Sequence, residues 1–389
     1  MARRRIPTKW YDEENAPNTV TRRSVMKGAA VAAAGAGIVA GGVTAGTRPA
    51  AADGHLSGGF AIPEYDAIIR SMAEGRTLKV GFTPPVLSEF FDEIEHACWR
   101  RCHEYTERFG VQWSWHRAAP TGDFDTVEEH FDLIQNWVTA GMDAIIICTA
   151  GDFKAMQKVF SDARAKGTRI IQLNMPMELW PIDEVQSDTA VGYNNALQAG
   201  FIAGEYIAQQ LGGEGKMLQV WGPSGHWAES RDNGLKLALQ KYPGLEIVGK
   251  ADGGYVRDKG FAAAQNLLSA NPNVNAVYGE NEEMGLGASL AISSLGLKHW
   301  DGTDGILTIG ADGLRSGYQE IRDGRLTATI DVGTVDQGLE SVRMAFELVV
   351  LQHTVGRLHN QPTKVVDKTN VEYADAYVAW ALGAEDISG

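Results

Sequence analysis

Three cysteines in 389 residues are too few, and an odd number, for a disulfide-stapled scaffold. Cys98 and Cys102 lie four apart on a predicted helix, near His96 and His103. At about 100° per residue the two cysteines share a face with Phe91, Ile94 and Tyr105, while the histidines point to roughly the opposite side. They read as core cysteines, and no metal is expected. Enzyme signatures are also missing: the chain has no G-x-x-x-x-G-K-[ST], no H-E-x-x-H and no G-x-S-x-G. Gly222-Pro-Ser-Gly225 lies between a predicted strand and a predicted helix. It could offer N–H groups to a phosphate, but a tight turn lining a cleft is the preferred reading. Asp301-Gly-Thr-Asp-Gly305 lacks the spacing and distal Glu of a calcium loop and reads as a polar turn. Neither catalysis nor a cofactor is expected.

Basic residues are scarce, 35 against 49 acidic ones, and eight of them fall in the first 52 residues beside only three acidic ones. The remainder carries 27 Lys/Arg and 46 Asp/Glu, a net charge of −19. Such a surface repels nucleic acid and anionic lipid. No apolar run after residue 52 is long enough to span a bilayer, so stable membrane insertion is not expected.

What the leading segment does contain is specific. Arg22-Arg23 precede Ser24-Val-Met-Lys27, a weakly apolar Gly28–Gly46 run follows, and Ala50-Ala51-Ala52 closes it. Together these make a twin-arginine export signal, with Asp53 expected as the mature N-terminus. The run is Ala/Gly-rich and a poor membrane anchor. No Cys lies near the cleavage site, so lipoprotein attachment is not expected. The Tat translocase is the expected partner in export, and the mature chain works outside the cytoplasm.

Residues 53–76 read as a polar linker with a short helix near Glu64–Met72. From there strands and helices alternate. Strands are expected at Leu78–Phe82, Val111–Trp115, Ala144–Cys148, Arg169–Leu173, Lys216–Val220, Glu246–Ala251, Ala276–Gly279, Gly305–Ile309, Ala328–Asp331 and Thr363–Val366. Helices of about ten residues or more separate most of them, which means βαβ units and parallel sheets. The fold class is α/β, with two doubly wound halves in tandem. Such sheets bind ligands at the carboxyl ends of their strands, and two facing each other form a cleft.

Several segments, in order, resemble the ribose-type periplasmic binding proteins. They are Lys79-Val-Gly-Phe82 with Leu87-Ser-Glu-Phe-Phe91; Gly141-Met-Asp-Ala-Ile-Ile-Ile147; Arg231-Asp-Asn-Gly234; Gly279-Glu-Asn-Glu-Glu-Met-Gly-Leu-Gly-Ala288; Ile309-Gly-Ala-Asp-Gly313; and Ile321-Arg-Asp-Gly-Arg-Leu-Thr-Ala-Thr-Ile330. The resemblance covers about Leu78–Thr369. It implies a type I periplasmic binding protein: a monomeric periplasmic protein that captures a sugar or sugar alcohol and hands it to an ABC transporter permease. It also implies three crossovers between lobes. One lobe would be 77–188 plus 333–360, the other 189–332 plus 361–373, leaving 374–389 as a C-terminal tail.

The resemblance carries site residues with it. Phe90 and Phe91 match an aromatic pair that stacks on a sugar ring. Asn281 matches a ligand-binding Asn that can also cap a helix. Asp312 matches a carboxylate that takes paired hydroxyls, Arg231 the arginine of R-x-x-G, and Tyr255 a wall aromatic. The chain departs from the pattern elsewhere. Asn174-Met175 stand where the family has Asp-Arg, Ser88-Glu89 where it has an Asn, and Val332, with Asp331 beside it, where it has Gln. Asn174 and Asp331 join the candidates, and the ligand is not expected to be ribose. Two other readings use the same features: a ligand-sensing subunit of the same fold that signals to a membrane receptor, and an exported enzyme.

Overall fold

The computed structural model describes residues 63–121, 127–149, 153–176 and 181–388. The export signal expected over 1–52 lies outside the described residues. The chain opens with α1 (Pro63–Ala73), β1 (Thr77–Thr83), α2 (Glu89–Phe109), β2 (Gln112–Arg117), α3 (Val127–Thr139), β3 (Ala144–Ile147), α4 (Phe153–Ala165), β4 (Arg169–Leu173) and β5 (Thr189–Val191). It continues through α5 (Asn195–Leu211), β6 (Glu214–Trp221), α6 (His226–Leu239), β7 (Gly244–Asp252), α7 (Arg257–Ala270), β8 (Ala276–Gly279) and α8 (Glu282–Ser294). The last elements are β9 (Leu307–Asp312), α9 (Arg315–Arg322), β10 (Ala328–Asp331), α10 (Thr334–Val349), β11 (Leu358–His359), β12 (Lys364–Asp367) and α11 (Val371–Leu382).

Two six-stranded sheets result. Their strand orders are β11-β5-β4-β3-β1-β2 and β12-β10-β9-β8-β6-β7. Every pairing is parallel except the antiparallel addition of β12 to β10. Burial on both faces explains the unbroken apolar run of β3. Ile145 and Ile147 pack with Ile134, Trp137 and Phe160 of α3 and α4, while Ile146 packs on the opposite side with Ile94 and Cys98 of α2. The second sheet repeats the plan. Leu218, Val220 and Val277 meet α7 and α8 through Ala264, Leu268 and Met284. On its other face Met217 and Tyr278 join the cluster that holds Ala203 of α5 and Leu235 of α6.

Cys98, Cys102 and Cys148 are free, buried thiols in this core. Cys98 Sγ donates to the Gly338 carbonyl at 3.4 Å.

Two boundaries differ from the sequence expectation. Thr189–Val191 pair with β4 in the first sheet, so the chain leaves that sheet after Val191 and not at residue 188. Three residues are too few to show strand periodicity, and β11, with two, is shorter still. The expected tail at 374–389 is largely helix α11. Val371, Ala374, Val378 and Ala381 form its buried stripe at helical spacing. Asp375 pairs with Arg315 and Arg322 of α9, and Tyr377 donates to Asp336 of α10 at 2.7 Å. Beyond α11, Ser388 bridges to Trp115 on the edge strand β2.

Candidate functional site

The carboxyl ends of β1, β4, β7, β8 and β9 converge on one cavity of about 370 Å³ between the two sheets. From the first sheet come the Val86–Phe91 segment and Asn174. From the second come Trp227, Arg231, Tyr255, Val256, Asn281, Glu283, Asp312 and Leu314. Seven of the eight sequence-derived candidates therefore meet here: Phe90, Phe91, Asn174, Arg231, Tyr255, Asn281 and Asp312. Asp331 is not among the lining residues. It is buried behind the site, accepts the Gly333 N–H at 2.7 Å and pairs with Lys364 Nζ at 3.1 Å. Its carboxylate thus holds the β10–α10 crossover to β12.

On the second-sheet side, Arg231 Nη2 donates to Asp312 Oδ1 at 2.8 Å, and both side chains are nearly fully buried. Burial pushes the Asp312 carboxyl up, and the guanidinium opposes that shift. Arg231 reaches this place because α6 lies against α5 at backbone contact. A Cβ added to Gly234 would stand 2.0 Å from the Leu197 carbonyl oxygen, and one added to Gly200 would stand 1.8 Å from that of Arg231. The R-x-x-G spacing thus seats the helix with its glycine and aims the arginine one turn earlier. Asn281 is the N-cap of α8. Its Oδ1 accepts the Met284 N–H at 2.9 Å, and its Nδ2 donates to the Tyr255 carbonyl at 3.2 Å. An amide has two N–H groups and two lone pairs, so one of each remains for another partner.

On the opposite wall the Phe90 and Phe91 rings meet edge to face, 5.0 Å apart at 88°. Contacts among the described residues cross between the walls. Trp227 Nε1 donates to the Asn174 carbonyl at 2.7 Å, Glu89 accepts the Ser316 N–H at 3.0 Å, and Glu93 accepts the Arg315 N–H at 3.3 Å. Sequence reasoning missed Trp227. Its signal was a lone Trp two residues past the Gly222–Gly225 turn, which by itself does not distinguish a wall from a core position. The turn itself is not among the lining residues; it packs behind Tyr255, which is. The Gly222 N–H is taken by Glu280 at 3.0 Å, and a Cβ there would lie 2.0 Å from the Tyr255 ring.

Backbone strain collects at the same place. Among the described residues, four non-glycine residues have positive φ, and three of them line the cavity: Asn174 (+51°), Tyr255 (+59°) and Asp312 (+145°). Such conformations cost about 1–3 kcal/mol each and persist where the surroundings over-determine them, typically at ligand sites.

A protein-family profile, the periplasmic binding protein domain, matches residues 80–352, well over half of the chain. The chain belongs to the periplasmic binding protein family. It is 26% identical to the xylitol-binding protein of Mycolicibacterium smegmatis over 268 residues, which cover 68% of this chain and 70% of the relative. It is 32% identical to the ribose import binding protein of Bacillus subtilis over 201 residues, 51% of this chain and 59% of that one. A solved solute-binding protein from Bacillus halodurans with bound myo-inositol shares its fold, with a TM-score of 0.67 and 23% identity, over 78% of this chain and 99% of that chain. Among the described residues of this periplasmic binding protein, no helix is long and apolar enough to cross a membrane.

This periplasmic binding protein also buries carboxyls away from any direct ligand role. Desolvation pushes Glu95 and Glu280 up to about 7 and Glu282 up to about 8. Each folded-state value lies above the ordinary one, so folding favours the protonated form. That stabilisation is complete below the unfolded value and is lost as pH rises through the folded one. His359, raised by its hydrogen bond to Glu340, acts in the same direction. His130, pushed down to about 4 by burial, opposes them only below its unfolded value of about 6.5. The melting temperature should therefore fall between about pH 6.5 and 8.5. Scanning fluorimetry across that range checks the sign, and a rise would contradict the burial of these groups.

Proposed function

We propose that the protein is an extracytoplasmic solute-binding protein that captures a neutral polyhydroxylated molecule, a sugar or sugar alcohol, and delivers it to an ABC importer. One observation carries the reading: a buried guanidinium–carboxylate pair, Arg231–Asp312, shares a cavity with the Phe90–Phe91 rings. A carboxylate and a guanidinium side by side accept from and donate to adjacent hydroxyls. An aromatic face offers an apolar platform for the C–H side of the same molecule. Asn281 and Asn174 supply further donors and acceptors from the two walls. Relatives named for xylitol and ribose support the ligand class.

The ligand is not tuned as ribose is in the family pattern. Met175 and Val332, at positions where that pattern has polar residues, are buried apolar side chains. A hydroxyl left unpaired in a dry cleft costs about 1–3 kcal/mol. Calorimetry against pentoses, hexoses and polyols tests this: a polyol or a sugar other than ribose should bind tightest. Tight ribose binding, or preference for an amino acid over every polyol, would sink it. Ligand contacts on both walls should favour the closed arrangement of the two halves, so small-angle scattering should show a smaller radius of gyration on saturation, and an unchanged radius would count against closure.

Export is proposed to follow the twin-arginine route. With Arg22 and Arg23 both replaced by Lys, the precursor should stay in the cytoplasm; normal export of that variant would remove the assignment.

A further inference from the structure

Behind the turn that carries Asp312 lies a carboxyl that ligand capture, as described, does not use. Glu282, the first residue of α8, is fully buried. Its Oε2 accepts the Gly313 backbone N–H at 3.1 Å and the Thr329 hydroxyl. Its own backbone N–H faces Asp312 Oδ2 at 3.4 Å. The fold leaves room for this long side chain at Gly317 of α9, where an added Cβ would stand 1.8 Å from Glu282 Oε1. Three consecutive residues therefore divide the work at the head of α8. Asn281 caps the helix and faces the cavity, Glu283 pairs with Arg257 at 2.7 Å on the cavity wall, and Glu282 turns inward beneath the neighbouring strand end.

The turn above it is one the chain resists. Asp312 has φ +145° and Gly313 φ +79°. A residue with a Cβ rarely adopts the first value, and it stays there only where neighbouring groups hold it. Without that turn the Asp312 carboxylate would not lie against Arg231. Burial pushes the Glu282 carboxyl up to about 8, with the Thr329 hydrogen bond opposing and the Asp312 charge adding to the rise. The neutral acid is thereby favoured at neutral pH, which limits repulsion of the Asp312 carboxylate next to it.

We propose that Glu282 is a positioning residue for ligand capture: it clamps the Asp312–Gly313 turn from behind and so aims the Asp312 carboxylate into the cavity beside Arg231. The affinity part of this inference rests on Asp312 being a ligand contact; the clamp itself does not.

Two measurements on the full chain separate those parts. In ligand-free protein, Glu282→Met keeps the side chain's length and removes its acceptors. Exchange of the Gly313 amide should accelerate by about 100-fold, while amides of β6 and β8 stay within about 2-fold. Unchanged exchange at Gly313 overturns the clamp. The second measurement is a double-mutant cycle read by calorimetry, with xylitol, ribose and myo-inositol as probes. Glu282→Met should weaken the tightest of these by about 20-fold or more in the wild-type background, and by less than about 3-fold once Asp312→Ala is present. Equal losses in both backgrounds would mean that Glu282 acts on the fold at large and would overturn its positioning role. Glu282→Gln, which keeps an acceptor oxygen in place, should recover most of the affinity that Met loses. If Glu282→Met does not fold, Thr329→Val replaces it in both measurements. If wild type binds none of these three, the tightest binder from the panel of pentoses, hexoses and polyols replaces them in the cycle; if none of that panel binds, the sugar reading fails, and Gly313 exchange still decides the clamp.

Discussion

Asp312→Ala should lower the melting temperature of the ligand-free protein by roughly 6–10 °C and weaken ligand binding by about 100-fold. The two losses have different causes. Arg231 is buried and its Nη2 donates to Asp312. Removing the carboxylate leaves a guanidinium charge in a dry site, which costs about 3–5 kcal/mol, at about 2 °C per kcal/mol for a chain of this size. Removing both charges is much cheaper than removing one. Asp312→Ala combined with Arg231→Met should therefore regain most of the stability and none of the binding. Scanning calorimetry without ligand and titration calorimetry with it read the two effects separately. An unchanged melting temperature for the single variant would mean that water reaches the pair in solution.

Gly234→Ala sets two magnitudes against each other. In a helix interior the change should stabilise by about 1 kcal/mol from propensity alone. Here the new Cβ would stand 2.0 Å from the Leu197 carbonyl oxygen, and backbone cannot swing aside as a side chain can. Helices α5 and α6 would have to separate. Overpacking of that kind costs about 1–3 kcal/mol and more when backbone must move. A net loss of about 2 kcal/mol is expected in denaturant unfolding. Affinity should fall with it, because α6 carries both Arg231 and Trp227 into the cavity. A more stable variant would show that the two helices are not in backbone contact.

The parallel strands were legible because burial on both faces writes itself into sequence, as in Ala144-Ile-Ile-Ile147, where every residue is buried. The long helices were legible from their apolar stripes. Elements of two or three residues, β5 and β11, were not, since periodicity needs more repeats than they contain. Helix α11 carried its stripe in plain view at Val371, Ala374, Val378 and Ala381. The lobes expected from sequence end with the strand before it, which leaves this helix in the expected tail.

The site divides along the same line. Phe90, Phe91, Arg231, Asn281 and Asp312 come from short segments whose spacing resembles a known pattern, Tyr255 from its place where that pattern has an aromatic, and the structure brings all of them to one cavity. Trp227 entered only through the fold, since a single Trp carries no periodic signal and its hydrogen bond runs to Asn174, 53 residues away. Asp331 looked equivalent to its neighbours in sequence, yet it faces the β10–α10 crossover instead of the cavity. By itself the sequence determined the α/β class, the repeated βαβ order, the acidic surface and the residue types available for binding, because these depend on local periodicity and composition. Which carboxylate faces the cavity and which lies behind it was decided only by the tertiary structure. Asp312 and Asp331 are directly paired across β9 and β10, and only the packing of helices and crossovers around that pair sets one toward the cavity and the other away from it.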